Sequence, residues 1–342
     1  MARNHLLSEG PLLNESGDLA EAGYATSLVK EYSRSSIAAK KWRIKEWDYY
    51  YVGNAHHGVA LTVADNGYMS MASASILDFD KKSDVTESRI GWFPLGKLGL
   101  PSTSEKGDIL FKGKGFDFAF RFEGATRRLT CHMDSFGKKK EVFHCDIYLE
   151  KTNEDSLVIA TPFKKAKHFY YNQKINCLRA QGYAKVGEKV YDLNQDTYGV
   201  LDWGRGVWTY RNTWYWSSMS SIYQGHVIGF NLGYGFGDTS KASENILYLD
   251  GKSYKLDDVY MEIPLTKKGE DYLAPWRFHC PSKEVDLIFT PVLDRHADTN
   301  ALLIRSNQHQ VFGFFSGNLV FDGKAMTIAG VPGFAEKVYN RW

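Results

Sequence analysis

The chain lacks most of what would mark it for secretion, membrane insertion or cofactor use. Only four of its 342 residues are cysteine (Cys131, Cys145, Cys177 and Cys280), widely scattered and with no pair at metal-ligand spacing. They read as free thiols in a reducing compartment. No apolar run follows Met1-Ala2-Arg3-Asn4-His5, so a secretory leader is not expected and a cytoplasmic location is. No stretch of 18 or more apolar residues occurs, and the long uncharged tract 212–237 is rich in Ser, Gly, Asn and Gln, so no integral membrane segment is expected. Phosphate-cradling glycine loops, zinc-helix motifs and Gly-x-Ser-x-Gly elbows are absent. Neither a cofactor nor a metal is therefore expected, and His56-His57 has no partners at ligand spacing. Forty-two Lys and Arg against 40 Asp and Glu leave a net charge of +2, which removes the basic excess of a nucleic-acid binder.

What the chain does have is aromatic residues and glycine. Twenty Phe, 21 Tyr and 9 Trp make up 15% of it, with 31 Gly and only 9 Pro. That balance favours strands and tight turns, and so an all-β fold. Phe116, Phe118, Phe120 and Phe122 alternate with Asp117, Ala119, Arg121 and Glu123, which predicts a strand and, after Gly124-Ala125, a hairpin. Asp65-Asn66-Gly67 predicts a second hairpin with a two-residue type I′ turn. Short runs of this kind recur to the end without intervening helices, as in tandem sandwiches or barrels. The exception is 14–40, rich in Ala, Glu and Leu, read as an N-terminal helical arm. The expected division is 1–171 and 172–342, with the join near Asn172 after Lys164-Lys165-Ala166-Lys167, read as a solvated linker.

One region concentrates the chemistry. Along 226–237 the even positions are large (Ile228, Phe230, Leu232, Tyr234, Phe236) and the odd ones nearly all small around Asn231. A strand face vacated in this way suits the close approach of a ligand or of another backbone. Just upstream, Trp203, Trp208, Trp214 and Trp216 flank Asp202 and Arg205. A carboxylate beside tryptophan is a candidate for a raised pKa, and an Asp202–Arg205 ion pair is the structural alternative. Glu244 sits among hydroxyl, amide and aromatic groups. Near the end His309-Gln310 opens a strand, Glu336 follows Gly333, and the chain finishes in Asn340-Arg341-Trp342, a terminus expected to be docked.

The Leu-Asp-Trp-Gly-Arg-Gly run at 201–206, Glu244-Asn245 with Asp250-Gly251, His309-Gln310-Val311-Phe312-Gly313 and Asn340-Arg341-Trp342 resemble a bacterial family known as a domain of unknown function. More distantly, the chain looks like the double lipocalin-like (calycin) superfamily of tocopherol cyclase and the carotenoid 1,2-hydratases. Asp202-Trp203 falls where those proteins carry a Trp-x-Asp-His-Glu-Trp motif whose Asp protonates an alkene, and Gly333 with Glu336 matches half of their terminal motif. The His-Glu is replaced here by Trp203-Gly204, so the resemblance implies the fold more than the chemistry. Two tandem lipocalin-like β-domains are expected.

The leading expectation is a cofactor-independent enzyme with an aromatic-lined pocket. Asp202, Glu244 and Glu336 would be its acid/base carboxylates, and Trp203, Arg205, Trp208, Trp214, Trp216, Asn231, His309 and Arg341 its ligand-binding residues. Lyase, hydratase, cyclase and glycoside hydrolase chemistry all suit that set, on a small molecule such as a carbohydrate or an isoprenoid. Arg205, His309 and Arg341 tilt the pocket toward a polar substrate. The alternatives are a carrier of lipocalin type, whose pocket would lack converging ionisable groups, and an interaction protein with an exposed aromatic patch.

Overall fold

The computed structural model describes residues 4–301 and 304–341, so Trp342 lies outside the described residues. Two large sheets hold nearly all of the strands, and they have the tandem lipocalin-like arrangement. The main path of the first runs from Ser83–Trp92 through Met69–Asp78, His57–Asp65, Lys45–Gly53, Tyr198–Val207, Phe169–Val186, Glu141–Lys151, Thr126–Phe136 and Phe116–Glu123 to Ile109–Gly113. The second runs from Lys252–Lys255 through Ile246–Leu249, His226–Tyr234, Arg211–Tyr223, Lys324–Arg341, Ile304–Phe321, Val285–Ala301 and Trp276–His279 to Tyr260–Glu262.

The alternating phenylalanines form the predicted strand and hairpin, with Phe118 and Phe120 buried and Asp117 exposed. The second hairpin also forms, one residue further along than the Asn-Gly pair suggested: Asn66 N–H donates to Met69 O at 2.8 Å, leaving Gly67-Tyr68 between them, with Gly67 at φ 78°. The Asp65 carboxylate accepts from the backbone N–H groups of Gly67 (2.9 Å) and Gly96 (2.8 Å). Those bonds hold the turn one residue beyond the expected Asn66-Gly67 position.

The helical arm is corrected. Among the described residues, 14–40 contains only a 3-10 turn at Arg34–Ser36 and the short strands Gly23–Ala25 and Lys30–Glu31. Its buried apolar residues keep no helical period, and a Cβ on Gly23 would sit 2.3 Å from His5 O, so the backbone packs extended. Asn172 lies within a strand of the first sheet, and the chain crosses to the second between Val207 and Arg211. The lysines at 164–167 are the exposed tip of a hairpin joining Leu157–Pro162 to Phe169–Val186.

Each sheet curls around its own core, with Trp203, Phe118 and Phe143 in the first and Trp276, Phe289 and Phe315 in the second. Between them runs a seam in which Tyr49, Tyr51, Phe79 and Val200 of the first sheet pack on Trp216, Leu293, Phe312 and Phe334 of the second. Edge-to-face contacts such as Tyr51–Phe334, with centroids 5.4 Å apart, give the seam the packing of an interior.

Candidate active site

Strand register builds the site from two rows. In the first sheet Tyr49, Asp202 and Lys174 stand side by side on three neighbouring strands. In the second, Gly233, Trp216, Glu336, Gln310 and Arg295 stand side by side on five. The rows meet across the seam. Lys174 Nζ lies 3.7 Å from the Trp216 ring centroid, and Tyr49 Oη donates to Gln310 Oε1 at 3.1 Å.

The 201–206 run divides by face, as a strand must. Leu201, Trp203 and Val207 point into the first core, while Asp202 and Gly204 face the seam. Asp202 accepts from Trp47 Nε1 (3.2 Å) and Asn172 Nδ2 (2.5 Å), and pairs with Lys174 Nζ at 2.9 Å. Gly204 permits this, because a Cβ there would lie 2.1 Å from the Trp47 ring. Glu336 accepts from Trp214 Nε1 and from Gln310 Nε2, each at 2.9 Å.

Glu244 comes from outside the strands. A Cβ on Gly233 would lie 3.4 Å from Glu244 Oε2, so the vacated face of His226–Tyr234 is where this side chain is seated. Asn231 Nδ2 donates to the Glu244 carbonyl at 2.8 Å, and Trp216 Nε1 donates to Asn231 Oδ1 at 2.7 Å. What that face receives is side chains: Glu244 against Gly233, and Cys177 Sγ, 2.5 Å from where a Cβ on Gly229 would be.

Asp202, Glu244 and Glu336 are 8%, 6% and 8% exposed. Burial pushes Glu244 up to about 7, with Lys174 opposing the rise and the Asp202 charge adding to it. Burial also takes Glu336 up to about 7, against the Trp214 hydrogen bond and Lys174, with Asp202 again adding. Burial raises the Tyr170 phenol, and Asp202, Glu244 and Glu336 each raise it further, so all three carboxyls act on one ring. Around them Trp47, Trp208 and Phe236 pack on Tyr170, with Trp214 against Phe236. Trp47 and Trp214 are only partly buried, so this wall reaches solvent.

The structure thus brings together Asp202, Glu244, Glu336, Trp208, Trp214, Trp216 and Asn231, although both ends of the Asn231 amide are engaged by protein. Trp203 is in the first core against Tyr32 and Tyr171. Arg205 is fully buried beside it, donating to Asp48 Oδ1 (3.0 Å) and to the carbonyls of Trp47 and Pro101. The ion pair imagined between Asp202 and Arg205 does not form, because their partners are Lys174 and Asp48. His309 stacks on Tyr272 (centroids 3.7 Å) and bonds Asp294 Oδ2 through Nδ1 (2.7 Å). It belongs to the neighbourhood of a surface hollow of about 550 Å³ that includes Glu270, Tyr272 and Asp294 and none of the three carboxylates. Arg341, about 17 Å along its strand from Glu336, pairs in register with Arg211 and Arg305.

Sequence reasoning missed Trp47, Tyr49, Tyr170, Asn172, Lys174, Gln310 and Arg295. A signal was present in the unbroken run of polar-tipped side chains from Tyr170 to Lys174, unusual for a buried strand, although it does not say which of them face the site. Among the described residues no group of three or more His, Cys, Asp or Glu is arranged to hold a metal ion, and all four cysteines are free and buried. No helix there is long and apolar enough to cross a membrane.

A protein-family model described as Domain of unknown function (DUF2804) matches residues 3–342. The chain belongs to this family. Among curated proteins, none matches it in sequence. In fold the DUF2804 chain is similar to the crystal structure of a candidate AttH from Nitrosomonas europaea, with a TM-score of 0.51 at 12% identity over 90% of this chain and 95% of that one. The crystal structure of kievitone hydratase from Nectria haematococca gives a TM-score of 0.47 at 10% identity, over 93% of this chain and 96% of that one. The first likeness shows that the DUF2804 chain has the fold and says nothing of its chemistry.

Proposed function

We propose that this DUF2804 protein is an enzyme that moves a proton on a small molecule at the seam, with Asp202, Glu244 and Glu336 as its acid/base groups and no cofactor in the step. The observation that carries the reading is the convergence of three carboxyls in an aromatic wall, two of them held up to about 7 by burial. A carboxyl titrating near neutral pH both gives and takes a proton readily, and such positioned transfer is worth about 10²–10⁴-fold. Trp47, Tyr170, Trp208, Trp214 and Phe236 supply an apolar surface for the substrate. Since Arg205, His309 and Arg341 lie away from the carboxyls, the polar tilt they gave is lost. The aromatic wall suits an apolar substrate, for addition or elimination across a carbon–carbon double bond as in a hydratase, lyase or cyclase, and equally the face of a sugar ring, for glycoside hydrolysis.

Converging ionisable groups weigh against a carrier, and comparative turnover tests the choice. Wild-type protein and the Asp202→Asn and Glu336→Gln variants are incubated in D₂O with a metabolite extract and with a panel of alkenes, hydroxy acids and glycosides. Deuterium incorporation is then followed by mass spectrometry. A product formed by the wild type and lost about 10²-fold or more in the variants is expected. A compound retained unchanged by all three proteins would replace the enzyme with the carrier.

A further inference from the structure

Lys174 enters the seam from Phe169–Val186 with its side chain 4% exposed. A lysine this deep persists only when its charge is met. Here it is met twice, by Asp202 Oδ1 at 2.9 Å on its own sheet and by the face of Trp216 at 3.7 Å on the other. Both Asp202 oxygens are therefore engaged, one by Lys174 and Asn172 and the other by Trp47. Both Glu336 oxygens are engaged by neutral donors, Trp214 and Gln310. Glu244 is different, because its Oε1 is buried and has no hydrogen-bond partner.

We propose that Lys174 is the positioning residue of the site: its ammonium holds Asp202 as a fixed anion and so leaves the mobile proton to Glu244 and Glu336. This rests on the acid/base reading above and narrows it: Glu244 and Glu336 exchange the proton, and Asp202 serves as the fixed charge beside them instead of as a third proton carrier. The charged groups acting on Glu244 are Lys174, Asp202 and Lys255, and on Glu336 they are Lys174, Asp202 and Arg295. Tyr49 and Tyr170 are the titratable neighbours without charge. Lys255 is engaged by the carbonyls of Asn245 and Leu256, and Arg295 by Ser75 and Gln310. Lys174 alone among these cations acts on both glutamates while contacting the third carboxylate. Its positive charge favours release of their proton, the Asp202 charge opposes it, and the fixed pair keeps the two effects in balance.

The test is a ¹³C NMR titration of side-chain carboxyls in the wild type, Lys174→Met and Lys174→Arg. Two carboxyls titrating near 7 are expected in the wild type, moving up by on the order of one unit in K174M, where the charge is lost, and staying near their wild-type positions in K174R. An unmoved titration in folded K174M overturns the proposal. If K174M does not fold, the wild type decides. The ¹⁵Nζ resonance of Lys174 must shift with the glutamate titration, and a flat response overturns the proposal equally. Shifts present without turnover would remove the enzyme reading alone, and turnover without the shifts would remove the role of Lys174 alone.

Discussion

Glu244 and Glu336 carry a cost that should be visible in stability. Their folded values near 7 stand above the ordinary 4.5, so between those limits the folded state binds more protons than the unfolded one. Stability is then fully present below about pH 4.5 and is lost as pH rises through about 7, by about 3 kcal/mol for each residue. Glu336→Gln or Glu244→Gln removes the ionisation. Each variant is expected to match the wild type in urea denaturation at about pH 4 and to exceed it by up to about 3 kcal/mol at about pH 8.5, while turnover falls. An unchanged pH slope in both would show that neither residue is held protonated. Arg205 behaves oppositely. Arg205→Met leaves the buried Asp48 carboxylate without its partner, and a loss of about 3–5 kcal/mol is expected. Arg205→Lys should not rescue it, since a lysine cannot fork across Asp48 and the carbonyls of Trp47, Gly204 and Pro101. At this scale the sequence already singled out Asp202, Glu244 and Glu336. It misplaced Trp203 and Arg205 because neighbours along a strand point to opposite faces, and adjacency to Asp202 was read as proximity.

Strand glycines in this protein make room for particular side chains. A Cβ on Gly204 would lie 2.1 Å from the Trp47 ring, whereas one on Gly233 would lie 3.3 Å from Tyr215 O and 3.4 Å from Glu244. Gly204→Ala is therefore expected to be the harsher change, displacing Trp47 from Asp202 at about 1–3 kcal/mol of stability with a shift in tryptophan fluorescence. Gly233→Ala should fold nearly as well as the wild type and lose turnover through a displaced Glu244. Equal effects of the two would contradict this account. The glycine face of 226–237 was legible as a place of close approach, but its occupant was not, since Glu244 arrives from an irregular segment whose path no period announces. The Ala-rich stretch after residue 14 misled for a related reason, since composition favoured a helix while packing against the first sheet favoured extended chain.

For the whole molecule, the two sheets should unfold together. Lys174 and Tyr49 of the first sheet meet Trp216 and Gln310 of the second, and separating them would bare the aromatic seam. Calorimetry at pH 7 is expected to show one cooperative transition, and two resolved transitions would show that the sheets stand independently. By itself, the sequence determined the all-β class and the succession of hairpins and drew attention to three carboxyls, because period-two alternation, turn residues and local composition are written within a few residues of each other. Only the tertiary structure decided which faces meet, that Lys174 rather than Arg205 neutralises Asp202, and where one sheet yields to the next. Those outcomes depend on register and on contacts as remote in the chain as Tyr49 and Gln310, 261 positions apart, which no local pattern encodes.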